Sequence, residues 1–415
     1  LLAESVTQFQ AQAYKELLPA GGPVRTQVIG EETDETTAQS ERVKEFMNYQ
    51  ITHVMEEFDP ELDQMLFYLP LSGSAFKKIY YDQNMQRAVS KFIPSEELVV
   101  PYLATDLDSC ERVTHVIKMM DNDLRKHQIS GFYKDVELEP YQLDEKDLTA
   151  AQRKLEGTQK TTGNMEQHQI LEFHALLDLP GFEDEDDKGK ETGLKLPYIV
   201  TIHEESGKII GIRRNWREDD DLKNKIPYFV HYKFLPGLGF YGFGLIHMLG
   251  GLSKTATSAL RQLLDAGTLS NLPAGFKAKG LRLKEEDEPL QPGEWRDVDA
   301  GGQTIRDSLL PLPYKEPSAI LFNLLGFCVE AGRRFAAISD LQIGEGNQNA
   351  PVGTTIAMLE RGTKVMSAIH KRLHCAQRAE FRLLAKVFKD YLPPEYPYAV
   401  VGGEKTIKAE DFDER

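Results

Sequence analysis

The sequence predicts an α+β protein whose strands are concentrated in the middle of the chain and whose C-terminal part is helical. Apolar residues recur at three- and four-residue spacing in residues 1–18 and 40–57, which is typical of helices. Runs rich in β-formers follow, separated by Gly, Pro and Asn turns. From residue 245 onward the helical spacing returns in long segments.

The strand-like runs fall into two groups. The first group is expected at residues 66–71, 76–81 and 98–100, with a segment of mixed pattern from Cys110 to Met120. The second group, residues 169–177, 198–204 and 208–215, has the turn spacing of a meander, and a further strand is expected at residues 228–234.

The C-terminal half predicts three helices. The first, residues 245–269, is rich in small residues that let helices approach closely. Residues 273–317 hold five glycines and six prolines, which indicates a small turn-rich part. A second helix is expected at 318–338, capped by Ser318, and a third at 354–392, with Gly362 and Glu380 as breaks in its apolar stripe.

Charge and cysteine content limit the classes of function. The 415 residues carry 49 Lys and Arg against 65 Asp and Glu, a net charge of −16. This argues against a protein that holds nucleic acid through bulk positive charge. The three cysteines, Cys110, Cys328 and Cys375, are widely separated, so no disulfide framework is indicated. No segment has the length and composition of a membrane span, and no membrane partner is expected.

Catalytic and cofactor motifs are weak. Gly237, Gly239 and Gly242 match the GxGxxG pattern between a strand and a helix, so a nucleotide-binding enzyme is one alternative. A tight strand-to-helix corner explains the same glycines and is preferred, because Phe240 and Tyr241 are bulky. His370 and His374 share a helix face without the Glu of a zinc protease motif. We expect no catalytic residues, no metal site and no cofactor.

The last predicted helix differs in charge from the rest of the chain. Residues 352–392 hold eight basic and three acidic residues, a net charge of +5. Its candidate contact residues are Arg361, Lys364, Lys371 and Arg372. A basic helix in an acidic protein indicates an anionic partner, either an acidic neighbouring subunit, which we prefer, or a phosphate backbone.

Four segments in this order carry a resemblance to a known family. They are residues 62–68 (LDQMLFY), 72–82 (SGSAFKKIYYD), 93–101 (IPSEELVVP) and 241–246 (YGFGLI), the last running into the small-residue helix. The chain resembles the bacteriophage portal, or head-to-tail connector, proteins, especially those of short-tailed phages. A virion adaptor protein that forms no ring is a further alternative.

The resemblance implies a division of the chain. Residues 1–243 would be an α+β wing, 244–270 a stem helix, 271–317 a small α/β clip, and 318–338 the returning stem helix. Residues 339–354 would be a tunnel loop, 355–392 a long helix of the wing that is directed toward a crown, and 393–415 a C-terminal extension that is expected to be cut short before the crown.

The resemblance also implies sites and partners. Stem packing is expected at Gly250, Gly251, Ala256 and Ala259. Adaptor and terminase contacts are expected in the clip at Arg282, Lys284, Glu285, Glu286 and Trp295. DNA-channel contacts are expected in the tunnel loop at Glu345, Asn347, Gln348, Asn349, Pro351 and Val352.

A portal protein would form a ring of twelve at one capsid vertex, assembled in the host cytoplasm and retained in the virion. Double-stranded DNA would pass through its channel during genome packaging and ejection, so the DNA contact is transient. Its protein partners would be the terminase large subunit, a head-to-tail adaptor, the major capsid protein and the scaffolding protein.

Overall fold

The architecture is seen in a computed structural model. It describes residues 2–139, 167–185, 190–271, 275–277, 282–283, 298–299, 309–311, 316–335, 352–400 and 403–412. Helices and antiparallel sheets both contribute substantially, so the α+β class is confirmed. The contacts divide the chain into two compact units. One comprises Val6–Leu245 and Thr363–Arg415, and the other comprises Leu1–Ser5 and Ile246–Gly362.

Three helices precede the first sheet. They are α1 (Leu2–Leu17), α2 (Asp34–Tyr49), which continues into a π-helical turn at Gln50–Val54, and α3 (Phe58–Ser72). The strand expected at residues 66–71 is wrong, because these residues are the last turns of α3. Leu62, Met65, Leu66 and Leu69 are buried at three- and four-residue spacing, and this helical periodicity outweighs the local β propensity.

The first sheet has three antiparallel strands in the order β2-β1-β8: β1 (Ser74–Asp82), β2 (Arg87–Pro94) and β8 (Phe229–Lys233). The expected strands at residues 76–81 and 228–234 are therefore confirmed, whereas β2 was not foreseen. Phe76 faces Ile93 on one neighbouring strand and His231 on the other. A short 3₁₀ turn at Ser95–Glu97 leads out of β2.

The second sheet is a five-stranded antiparallel meander. Its strands lie in chain order: β3 (Leu98–Val99), β4 (Arg112–Met120), β5 (Gln167–Leu177), β6 (Leu196–His203) and β7 (Ile209–Arg214). The predicted meander is confirmed. Helix α4 (Asp121–Ile129) follows β4 directly and covers a small core that contains Leu124, Tyr133, Ile170 and Ile210.

The remaining elements include the three predicted helices. They are α5 (Leu245–Asn271), β9 (Gly275–Lys277), β10 (Arg282–Leu283), β11 (Val298–Asp299), β12 (Leu309–Pro311), α6 (Ala319–Phe335), α7 (Val352–Tyr391), β13 (Glu395–Val400), β14 (Gly403–Lys408) and a 3₁₀ turn (Ala409–Asp411). Helix α7 begins at Val352, so this residue belongs to the helix and not to the loop in which it was placed.

Helix α7 is continuous, as predicted, and includes the two positions that break its apolar stripe. Gly362 lies within the helix, and Glu380 is fully buried in it. The buried face of α7 contains Leu373, Gln377, Glu380, Leu384 and Phe388. The sequence predicts an apolar stripe at Leu359, Met366, Ile369, Leu373, Ala376, Leu383 and Val387. The stripe is correct at Ile369 and Leu373 and shifted by one residue at its end, where Leu384 and Phe388 are buried in place of Leu383 and Val387.

Glu380 fastens α7 to the three-stranded sheet through a buried polar cluster. The Lys77 ammonium lies 3.1 Å from Glu380 Oε1, and the Ser90 hydroxyl donates to the same oxygen at 2.5 Å. The Tyr232 hydroxyl donates to Glu380 Oε2. Burial and the adjacent carboxylate raise the pKa of Tyr232 well above its usual value. Each strand of the sheet thus contributes one partner to one carboxylate of the helix.

Candidate functional site

The GxGxxG corner is a tight backbone crossing. A Cβ at Gly237 would lie 2.0 Å from the Tyr241 carbonyl oxygen, and a Cβ at Gly242 would lie 2.5 Å from the carbonyl oxygens of Gly73 and Leu235. A Cβ at Gly239, by contrast, would meet nothing within 4 Å. The first and third glycines are required for packing against protein backbone, and the middle one is not.

The corner also lacks the surroundings of a dinucleotide site. The preceding strand, β8, is the edge partner of β1 in an antiparallel sheet, whereas the dinucleotide unit is built from parallel strands. The Gly242 amide donates to Ser74 Oγ at 2.8 Å, and the Tyr241 hydroxyl donates to the Leu98 carbonyl oxygen. The preferred interpretation of these glycines, a strand-to-helix corner, describes this geometry.

His370 and His374 do share a face of α7, as predicted, and that face meets α1. His370 Nδ1 contacts the Glu16 carboxylate, and His374 Nε2 lies 3.2 Å from its other oxygen. Phe9 packs beside His370, with ring centroids 6.0 Å apart. In the described ranges, no group of three or more His, Cys, Asp or Glu side chains is arranged to hold a metal ion.

The stem residues predicted to pack closely do not all have the same environment. Ala259 is buried within the chain, whereas Gly251 is exposed and Gly250 and Ala256 are half-buried. A Cβ at Gly250 or Gly251 would meet nothing within 4 Å. Packing within the chain therefore does not require glycine at either position.

Helices α5 and α6 expose large apolar side chains. On α5 these are Ile246, Leu260, Leu264 and Leu269. On α6, Ile320, Leu324 and Phe327 lie at spacings of four and three residues on one face, with Ile320 81% and Phe327 66% exposed. Phe322, on the opposite side of α6, is also 66% exposed. Contiguous exposed apolar surface of this kind marks interaction sites in soluble proteins.

The basic residues of α7 separate into an inward contact and an outward face. Arg372 is half-buried and its Nε donates to the Phe234 carbonyl oxygen at 3.3 Å, so this candidate makes an intramolecular contact. Lys371 is exposed, together with Arg378, Arg382 and Lys386. We call these four residues the basic face. Arg361 and Lys364 lie in the helix, but their side chains are outside the described residues.

Most of the predicted DNA and adaptor contacts lie outside the described residues. This applies to Glu345, Asn347, Gln348, Asn349 and Pro351 of the tunnel loop, and to Lys284, Glu285, Glu286 and Trp295 of the clip. Arg282 is the first residue of β10, which pairs with β11 in a two-stranded antiparallel ladder. The predictions for these residues stay predictions.

A buried histidine pair was not foreseen from the sequence. His168 Nδ1 lies 3.0 Å from His203 Nε2, and His168 Nε2 lies 3.1 Å from Asp121 Oδ1. His203 Nδ1 bonds Ser206 Oγ at 2.9 Å within a hairpin turn. One set of neutral tautomers satisfies all three hydrogen bonds. The Ser206 hydroxyl donates to His203 Nδ1, His203 Nε2 donates to His168 Nδ1, and His168 Nε2 donates to Asp121 Oδ1. The turn amide of Ser206 also points at His203 Nδ1, so the serine is held as a turn residue.

Comparison with known proteins adds no relative: no protein-family model matches the chain, and no curated protein matches it.

Among the described helices, none combines the length and apolar character needed to cross a membrane. The three cysteines are free, with Cys110 and Cys328 buried and Cys375 exposed.

Proposed function

We propose that the chain is one subunit of a phage portal ring, through which double-stranded DNA is packaged into and released from a capsid. The observation that carries the proposal is the exposed apolar surface of α5 and α6. A 27-residue helix that buries only Leu245, Leu249 and Ala259 within its own chain needs another partner for its apolar side chains. In a ring, the same helices of adjacent subunits would supply that partner.

The charge distribution supports the same assignment. A net charge of −16 per chain becomes a strongly acidic wall when many copies are arranged around a channel. Such a wall repels phosphates and would let DNA pass without being held. Terminase, a head-to-tail adaptor, and capsid and scaffolding proteins are the proposed partners of the ring, and the virion is its proposed location.

The stem surface is tested by removing its apolar side chains. We expect the variant I320S/F327S to keep the fold of the chain, because both side chains are already exposed. We expect it to lose assembly, because in the ring these residues would be buried against a neighbour. Y102S/L103S is the matched control, since Tyr102 and Leu103 are 100% and 88% exposed but lie outside α5 and α6.

The readouts are circular dichroism for the fold and light scattering for the mass. Assembly of I320S/F327S at the wild-type concentration would contradict the proposed role of α6. Equal loss of assembly in I320S/F327S and in the control Y102S/L103S would show that association depends on the general polarity of the surface and not on α6. This result would also contradict the proposed role of α6.

A further inference from the structure

Between Lys371 and Lys386, the outward surface of α7 carries the basic face. Lys371, Arg378, Arg382 and Lys386 are separated by seven, four and four residues, which places them within an arc of about 80° on the helix. The 15-residue span from Lys371 to Lys386 is about 22 Å long. All four side chains are exposed, and within the described ranges none of them forms an ion pair.

Contacts on the buried side of α7 fix the orientation of the basic face. Glu380 lies on the opposite side of α7 and is held by Lys77, Ser90 and Tyr232 in the core. Glu380 is thus paired with the sheet, while the four side chains of the basic face are exposed to solvent. At about 1.5 Å rise per residue, neighbouring cations of the basic face are about 6–10 Å apart along the helix. Their electrostatic potentials add at this distance, so the basic face favours a polyanionic partner.

The chain itself carries a matching anionic surface. Glu31, Glu32, Asp34 and Glu35, which we call the acidic segment, are exposed at the start of α2. The reciprocal bonds between Thr33 and Thr36 cap the helix in the middle of this segment. Asp34 and Glu35 lie in the first turn of α2, where the helix dipole stabilises their negative charges. Glu31 and Glu32 precede the helix, and within the described ranges they form no ion pair.

We infer that the basic face of α7 docks on the acidic segment of a second copy of this chain. The inference rests on the proposed ring assembly and names a contact within it. A closed ring is built from two different surfaces of one chain that meet at every interface. A basic and an acidic surface on the same chain meet this requirement. When the contact is repeated around the ring, every basic face lies against the acidic segment of a neighbouring subunit.

The test is a charge swap measured by sedimentation velocity over a range of protein concentrations. R378E/R382E and E31K/E32K should each raise the concentration needed for assembly by about tenfold or more. Combining all four substitutions in one chain should restore assembly to within about threefold of wild type, because the attraction is re-formed with reversed sign. Two variants with matched charge changes, K91E/K195E and E204K/E205K, alter exposed residues elsewhere and should assemble normally.

The outcomes separate this inference from the proposed function. A wild-type chain that forms no ring contradicts the proposed function itself. A wild-type ring whose assembly is unchanged by R378E/R382E overturns the inference and leaves the ring intact. Fluorescence anisotropy with a labelled DNA duplex forms the last arm: loss of duplex binding in R378E/R382E, with assembly unchanged, would assign the basic face to DNA and overturn the inference.

Discussion

At the scale of single residues, Glu380 joins α7 to all three strands of the first sheet. A carboxylate buried with an ammonium and two hydroxyls is stable only while its partners remain, because an unpaired buried charge is very costly. The Lys77 ammonium also lies 4.2 Å from the centre of the Phe58 ring, so Phe58 of α3 joins the cluster. Four elements therefore depend on one side chain.

Removing Glu380 should destabilise the chain severely. We expect E380A to lower the free energy of unfolding by about 3–5 kcal/mol, because Lys77 would be left buried without a counter-charge. Urea unfolding followed by circular dichroism measures this. The triple variant K77M/Y232F/E380M removes the buried ion pair and the Tyr232 hydroxyl together and should recover most of the loss. E56Q, a change at an exposed glutamate, is the control and should stay within about 0.5 kcal/mol of wild type.

Buried neutral histidines predict a loss of stability in acid. Burial, with a contribution from the nearby Lys78 ammonium, lowers the pKa of His115 to about 3, and burial with Lys233 lowers the pKa of His231 to about 3. In the unfolded chain both rings take up a proton below about pH 6.5, while in the folded chain they stay neutral. The unfolded state therefore binds more protons, and stability falls as the pH drops from about 6.5 toward 3.

The contribution of His115 is isolated by the variant H115F. Between pH 7 and pH 5 the free energy of unfolding of wild type should fall by about 2 kcal/mol more than that of H115F, as measured by urea titration. H53Q changes an exposed histidine and should follow the wild-type pH dependence. A pH dependence of H115F identical to that of wild type would show that His115 takes up its proton equally in the folded and the unfolded chain, which contradicts the prediction.

At the scale of elements, substitutions at the corner between β8 and α5 test whether its glycines are required for packing. G242A should lower the free energy of unfolding by about 2 kcal/mol, because its Cβ has no space between the Gly73 and Leu235 carbonyl oxygens. G239A should be nearly neutral, because its Cβ meets nothing within 4 Å. Thermal unfolding of the two variants measures the difference, and equal effects would contradict the packing role.

The sequence was most informative where one periodicity dominated. The meander and the three C-terminal helices were predicted correctly, because their apolar spacing is long and regular. The strand expected at residues 66–71 failed because β-forming residues there also satisfy the spacing of α3. In the sequence Glu380 breaks the apolar stripe of α7, because a carboxylate in an apolar face gives no sign that Lys77, 303 residues away, will neutralise it.

The candidate surfaces were predicted less completely. The basic character of α7 is visible in the sequence, but which cations point outward depends on the rotation of the helix. That rotation is set by Glu380 and turns Arg372 toward the Phe234 carbonyl oxygen. The pairing of His168 with His203 depends on the register of β5 and β6, in which Ile170 faces His203, and register cannot be derived from composition.

At the scale of the whole molecule, the chain combines a well-packed unit with a unit whose long helices expose apolar side chains. Surfaces of this kind are costly for a protein that remains a monomer, because they favour association. The proposed ring relates these features: apolar stem helices at the interfaces, opposite charges on two surfaces of each wing, and an acidic total charge that suits a DNA conduit.

The most direct test of this account is the size and shape of the purified chain in solution, measured by native mass spectrometry together with electron microscopy. A portal ring should appear as a closed particle with a central channel, and twelve copies of a 47.0-kDa chain should have a mass of about 560 kDa. A species of about 47 kDa that persists at every protein concentration, with no ring in the images, would contradict it.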